Sequence, residues 1–233
     1  IYGNEGTKEN PYRITSASQL LSFAKEVKAG ESFSGKFVRL DADITMQSST
    51  AKTNVESETS NVKPVAWIGI GEDGKSFNGT FLGGDRYINR LYGSPLFVSL
   101  GEHACIEQLH LTSIGTIAGS GALANTKDGT IGGCKIIDDV NTTNGALVGT
   151  NNGLIYASYC TGETGTTTLI GSNSGQVVGC YQSTDLTALD EASLEAKVKT
   201  LNSDLGDLYK NNTSLTQYEY IYSPGNYPSV KKK

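Results

Sequence analysis

The phrase "GALVGTNNGLIYASYC", residues 145–160, stands between two near copies of itself, "GALANTKDGTIGGC" from Gly121 and "TLIGSNSGQVVGC" from Thr168. An internal period constrains a fold more than any local motif, because each residue inside it belongs to a stack. Aligning the apolar residue after each turn gives the column Ile88, Ile106, Ile131, Ile155, Val177, with offsets of 18, 25, 24 and 22 residues. Three places later the column reads Leu91, Leu109, Cys134, Ser158, Cys180. In the last three copies, Leu123, Leu147 and Leu169 lie eight places upstream, and Gly129, Gly153 and Gly175 two places upstream.

Each copy reads as two short strands, "ALVG" and "LIYASYC" in the middle one. They flank Asp128-Gly129, Asn152-Gly153 or Ser174-Gly175, pairs expected to supply the positive φ of a tight turn. A helix-free unit of about 22–25 residues cannot bury its apolar face alone, whereas stacked units share a continuous core. The expected fold is therefore all-β: a parallel β-helix, or β-solenoid, right-handed by the usual chirality of parallel crossovers. The 28 glycines and the modest 18% of charged residues suit many short strands and turns.

A stack exposes strand edges at its ends unless they are covered. One solenoid domain over 1–233 is expected, with an N-terminal cap over 1–36, irregular first rungs over 37–100, the repeats over 101–184 and a C-terminal cap over 185–233. The first cap holds a helix at about 16–29, with Ser16 and Gln19 as a capping box, an apolar stripe of Ala17, Leu20, Leu21, Ala24 and Val27, and Gly30 as its stop. The last cap holds a helix at about 190–205, with Leu194, Val198, Leu201 and Leu205 on one face. After it a terminal strand alternates Tyr218, Tyr220 and Tyr222 and closes at a Pro-Gly turn. Residues 46–63 read as a polar protruding loop.

The order "NPYRITSASQLLSFAKEVKAG", "GKFVRLDADI", "WIGIG…FNGTFLGGDRYINRL" and then G-x-L-x-G-x-N-x-G-x-I repeats resembles the GLUG-motif proteins of Gram-negative gut bacteria. That resemblance covers most of the chain. It implies an exported or surface-displayed β-helix, often a lipoprotein; the motif also occurs as an accessory segment in bacterial immunoglobulin A peptidases. Where the family has a Gly-Asn-Gly-His turn, this chain has Gly83, Gly84, Asp85 and Arg86, and the third repeat lacks the paired glycines before Leu169. No catalytic residue carries over.

A net charge of -5 and pI near 5.1 leave no basic stripe for nucleic acid. No apolar run approaches the 18 residues of a membrane span. Cys134 and Cys180 share a column two rungs apart, roughly 10 Å, beyond disulfide reach, so stacked thiols are expected. His103 and His110, seven residues apart, lack zinc-site spacing. "GESFSGKF" and "GIGEDG" imitate phosphate loops without the helix that such loops open. No cofactor is implied.

Carboxylates offer the enzymatic alternative, since a β-helix can project acids from one face. Asp138 and Asp139 are adjacent and point to opposite sides of a strand, whereas Asp41 and Asp43 share a face and could hold a metal ion or a sugar, with Glu72 and Asp73 near. The stronger lead is Tyr87, Tyr92, Tyr156, Tyr159 and Tyr181, spread along the repeats as stacking platforms. Tyr156 and Tyr159, at odd spacing, cannot both face outward in one straight strand. The reading that follows is a non-catalytic, secreted or cell-surface module, outer-membrane associated with its leader removed, monomeric, and binding a host protein, glycan or surface partner. A polysaccharide lyase or glycosidase is the first alternative and a structural spacer the second.

Overall fold

The computed structural model describes residues 4–46, 66–112, 115–117, 119, 121–137, 140–162 and 168–233. Most of the expected loop at 46–63, together with Asp138 and Asp139, lies outside them; Met46 is buried. The chain opens with β1 (Tyr12–Ile14), α1 (Ala17–Lys28), β2 (Phe37–Leu40) and β3 (Ile44–Thr45). Then follow β4 (Thr80–Leu82), β5 (Tyr87–Asn89), β6 (Phe97–Leu100), β7 (Cys105–Glu107) and β8 (His110–Thr112). The repeats supply β9 (Ala124–Lys127), β10 (Thr130–Gly132), β11 (Lys135–Ile137), β12 (Val148–Asn151), β13 (Leu154–Tyr156), β14 (Tyr159–Cys160), β15 (Ile170–Asn173), β16 (Gln176–Val178) and β17 (Tyr181–Gln182). A helix, α2 (Glu191–Asn211), and a hairpin of β18 (Tyr218–Ile221) and β19 (Ser229–Lys232) complete the chain.

These strands stack into three parallel sheets, one strand per coil: sheet A (β1, β2, β4, β7, β10, β13, β16), sheet B (β3, β5, β8, β11, β14, β17) and sheet C (β6, β9, β12, β15). The fold is a parallel β-solenoid. Each repeat contributes three strands where the sequence suggested two, because "LIYASYC" bends after Tyr156. Ala157 there takes φ 49°, and the matching corners are Gln108 (51°), Gly133 (63°) and Gly179 (58°). Left-handed backbone at these corners turns the chain from sheet A to sheet B.

The three turn glycines serve a different purpose from the expected one. Gly129, Gly153 and Gly175 are not among the positive-φ residues. A Cβ on Gly153 would instead strike the carbonyls of Asp128 and Gly129, and one on Gly175 the carbonyl of Gly153, so glycine lets successive turns stack in contact.

The inner column of sheet A also needs one correction. Register pairs Val38, Phe81, Ile106, Ile131, Ile155 and Val177 in succession. Ile88 belongs instead to sheet B, in the buried column Ile44, Ile88, Leu111, Ile136, Cys160. Leu123 and Leu147 are fully buried, Leu169 is half-buried, and Val177 is 38% exposed at the end of its column.

The Ser16 hydroxyl caps α1 by accepting from Gln19 N, while the Gln19 carboxamide oxygen accepts from Thr15 N rather than completing the box. Gly30 N donates to Val27 O and Glu31 N to Glu26 O, with Gly30 at φ 110°, which makes the left-handed stop. Leu20, Phe23, Ala24 and Val27 enter the first coils. At the other end α2 runs on to Asn211, past the expected 205, and its Val198, Leu201, Leu205, Leu208 and Tyr209 pack with the hairpin against the corner between sheets A and B. The C-terminal cap is thus partial: it covers that flank and leaves Ser172, Asn173, Ser174, Gln176 and Val177 of the last coil exposed.

Candidate binding face

Side chains alternate across each strand, so inward Ile88, Leu111, Ile136 and Cys160 in sheet B leave a neighbouring row facing out. Register sets that row as Tyr87, His110, Lys135, Tyr159, Tyr181. Its two ends have different fates. Tyr159 and Tyr181 stack at 4.9 Å with rings 6° apart and lie beneath Tyr220 of the hairpin, and the Tyr181 hydroxyl donates to Pro228 O. Tyr87, His110 and Lys135 extend beyond this cover.

At the uncovered end the His110 ring meets Tyr87 edge-on at 5.2 Å, and Lys135 Nζ lies 5.8 Å from the centre of the Tyr87 ring. Asp85, from the corner before β5, places Oδ1 3.3 Å from His110 Nε2, while its Oδ2 accepts from Gln108 Nε2 at 3.2 Å. The Asp85 side chain is 68% exposed and that of His110 only 4%. Burial, seconded by the Lys135 charge, lowers His110 to about 3. Its imidazole is therefore neutral at pH 7, with Nε2–H donating to Asp85 and Nδ1 left as an acceptor without a hydrogen-bond partner among the described residues.

Of the tyrosines singled out in the sequence, only Tyr87 belongs to this open end. Tyr156 and Tyr159 both face out of the coil, because the left-handed Ala157 breaks the straight strand on which period two depends, yet both are buried. Tyr156 packs against Tyr209 and Tyr218, and its hydroxyl donates to Thr216 O at 3.1 Å. These two and Tyr181 are anchors for the C-terminal segment rather than exposed platforms. Tyr92 is half-buried outside the row, its carbonyl accepting from Trp67 N.

The carboxylates proposed for a metal are engaged elsewhere. Asp41 binds Arg39 at 2.6 Å and Arg13 at 3.4 Å, and the Arg39 hydrogen bond lowers its pKa. Asp43 Oδ1 accepts from Tyr87 N at 3.0 Å, and Glu72 pairs with Lys75 and Lys28. Among the described residues no group of three His, Cys, Asp or Glu is placed to hold a metal ion. Cys134 and Cys180 lie in one column with Ser158 between, whose hydroxyl accepts from Cys134 N, and no disulfide joins the cysteines. Burial raises the Cys180 thiol to about 12.

One buried feature escaped the sequence reading. Sheet C turns Ser99, Thr126, Thr150 and Ser172 outward in register, and the next position holds Leu100, Lys127, Asn151 and Asn173. Lys127 and Asn151 are completely buried. Lys127 Nζ donates to Asn151 Oδ1 at 3.1 Å and to Gly129 O, and Asn151 Nδ2 donates to Asn173 Oδ1 at 2.7 Å. Burial lowers the amine to about 7. Period two from outward Thr126 already turned Lys127 inward; the charge argued for the surface, and register prevailed.

No protein-family model matches the chain, and no curated protein matches it. Among solved structures it is similar to the crystal structure of a candidate immunoglobulin A1 protease from Bacteroides ovatus, with 17% identity and a TM-score of 0.52. The likeness covers 76% of this chain and 58% of that one, and at such identity what the two share is the fold.

Proposed function

We propose that this chain is a non-catalytic, glycan-binding module of a secreted or cell-surface protein, of the kind that GLUG-motif proteins form. The observation that carries the reading is the uncovered end of the sheet B row. There an aromatic ring (Tyr87), a cation (Lys135), an exposed carboxylate (Asp85) and an amide (Gln108) lie side by side on rigid strands and corners. A ring face takes the apolar side of a sugar, and the carboxylate and amide take its hydroxyls. Most glycosidases cleave with two cooperating carboxylates. Asp85 is held by His110 and Gln108, and Asp43, which reaches the same strand, holds the Tyr87 N–H. The fold shared with the Bacteroides ovatus protein and the repeat resemblance support a surface setting.

A glycan and host-matrix array probed with the purified chain and its Tyr87→Ala variant tests this. Binding that weakens about tenfold or more in the variant is expected, as for loss of an aromatic anchor. Unchanged binding, or turnover of any polysaccharide on the array, refutes the reading.

A further inference from the structure

The terminal coil carries a second surface, independent of the glycan reading. In a parallel ladder, alternate residues direct both N–H and C=O toward opposite neighbours. Gln176 N donates to Gly153 O at 2.8 Å, and Val178 O accepts from Ala157 N at 3.1 Å, both toward the preceding coil. Val177, between them, therefore aims its N–H and C=O at the open side. Its side chain ends a column whose earlier members, Ile106, Ile131 and Ile155, are sealed, and it is 38% exposed. β16 is the last strand of sheet A.

Beside this edge runs a groove of about 470 Å³ between β16 and the C-terminal half of α2, lined by Gln176, Val177, Val178, Asp204, Asp207 and Leu208. That volume falls within the roughly 300–1,000 Å³ of ligand-binding clefts. Its helical wall is acidic. Asp207 holds Lys210 at 2.8 Å, and Asp204 makes no ion pair among the described residues. Protein edges are ordinarily blunted by Lys, Pro or a bulge. At the far edge of the same sheet, β1 follows Pro11 and carries Arg13, whereas β16 reads Gln-Val-Val.

We propose that the open edge of β16 is a strand-addition site for an extended, Lys- or Arg-bearing segment of another protein. Its backbone pairs with Val177, an apolar residue covers the Val177 side chain, and its cations meet Asp204 and Asp207. A second copy fits less well, since two identical ends would bring these carboxylates toward each other.

The probe is the synthetic peptide acetyl-GKIKG-amide, titrated to millimolar concentration into the full chain labelled for amide NMR, with acetyl-GEIEG-amide as its acidic twin. The basic peptide is expected to shift the Val177 and Val178 amides, and the twin to bind about tenfold more weakly at low salt. An Asp204→Lys, Asp207→Lys double variant, altered only on the helix surface, should lose that preference. Val177→Pro, which removes an N–H that the solenoid does not use, should lose binding. No shift of these amides, equal binding of the two peptides, or self-association of the chain through this edge without peptide overturns the proposal.

Discussion

The two ends of the stack are closed by different chemistry. At the N-terminal end Phe23 of α1 meets Phe33, Phe77 and Phe81 at centroid distances of 4.9, 5.5 and 5.9 Å, and Phe97 extends the cluster. Phenylalanine asks nothing polar of its surroundings and can plug the open mouth of a coil directly. Tyrosine dominates the C-terminal end, and each buried hydroxyl calls for a partner. Tyr220 donates to Gly179 O at 2.7 Å and Tyr209 to Tyr218 O at 3.3 Å, bonds made to backbone along a flank. The teaching of the contrast is that a Phe cluster covers an interior, whereas a Tyr cluster fastens a segment to an outer corner and leaves part of the terminal coil open.

The largest expected effect tests the closed end. Phe23→Ala removes a fully buried ring from the cluster and should cost about 3–5 kcal/mol in urea unfolding; a loss below about 1 kcal/mol would mean that α1 is not a plug.

Next comes the interior of sheet C, which changes from Leu100 to Lys127, Asn151 and finally exposed Asn173 toward the open end. Lys127 has a folded-state pKa of about 7 against 10.5 in an unfolded chain, so between those values the unfolded state binds the extra proton. Lys127 should therefore raise stability from pH 7 to about 8.5; above that range the buried thiols of Cys105 and Cys180, each pushed up to about 12 from 9, act in the opposite direction. Lys127→Met should remove that rise and match or exceed the parent stability at pH 7, by up to a few kcal/mol. His110, at about 3 against 6.5, follows the same sign in a lower window: stability falls as pH drops from 6.5 toward 3. A stability difference between the parent chain and Lys127→Met that stays flat across pH 7 to about 8.5 would contradict the burial of the amine.

Smaller again, Tyr220→Phe deletes the hydroxyl bonded to Gly179 O and should cost about 1–2 kcal/mol, read from the urea midpoint. No change would show that this flank is held by packing alone.

Much of this architecture was legible in the repeat. Columns through Ile106, Ile131 and Ile155 and the Gly129, Gly153 and Gly175 positions occupy the stack as the period implied, and both helices form where their apolar stripes placed them. The error at Ile88 was visible as its offset of 18, since Phe81 restores 25. The corner at Ala157 was not legible, because an alanine at φ 49° has no local signature and is imposed by the glycines and glutamine stacked with it. For the same reason the tyrosine rows looked exposed. Sequence alignment shows which residues leave the coil; only the tertiary fold shows that α2 and the hairpin return to cover Tyr156, Tyr159 and Tyr181. The His110–Asp85 pair was equally hidden, because it joins a strand in one coil to a corner in the preceding one, 25 residues away.

The smallest effect is the sharpest test of the contrast. Val177 occupies the same column as Ile131 and Ile155, so sequence alone assigns it the same weight, and a sealed position would lose about 2–5 kcal/mol on truncation to alanine. At the open end little new cavity forms, because the side chain already meets solvent on one side. Val177→Ala is expected to shift stability by less than about 0.5 kcal/mol. A cost comparable to that of Ile155→Ala, measured in the same buffer, would mean that the terminal coil is covered in solution and that the two ends are closed alike.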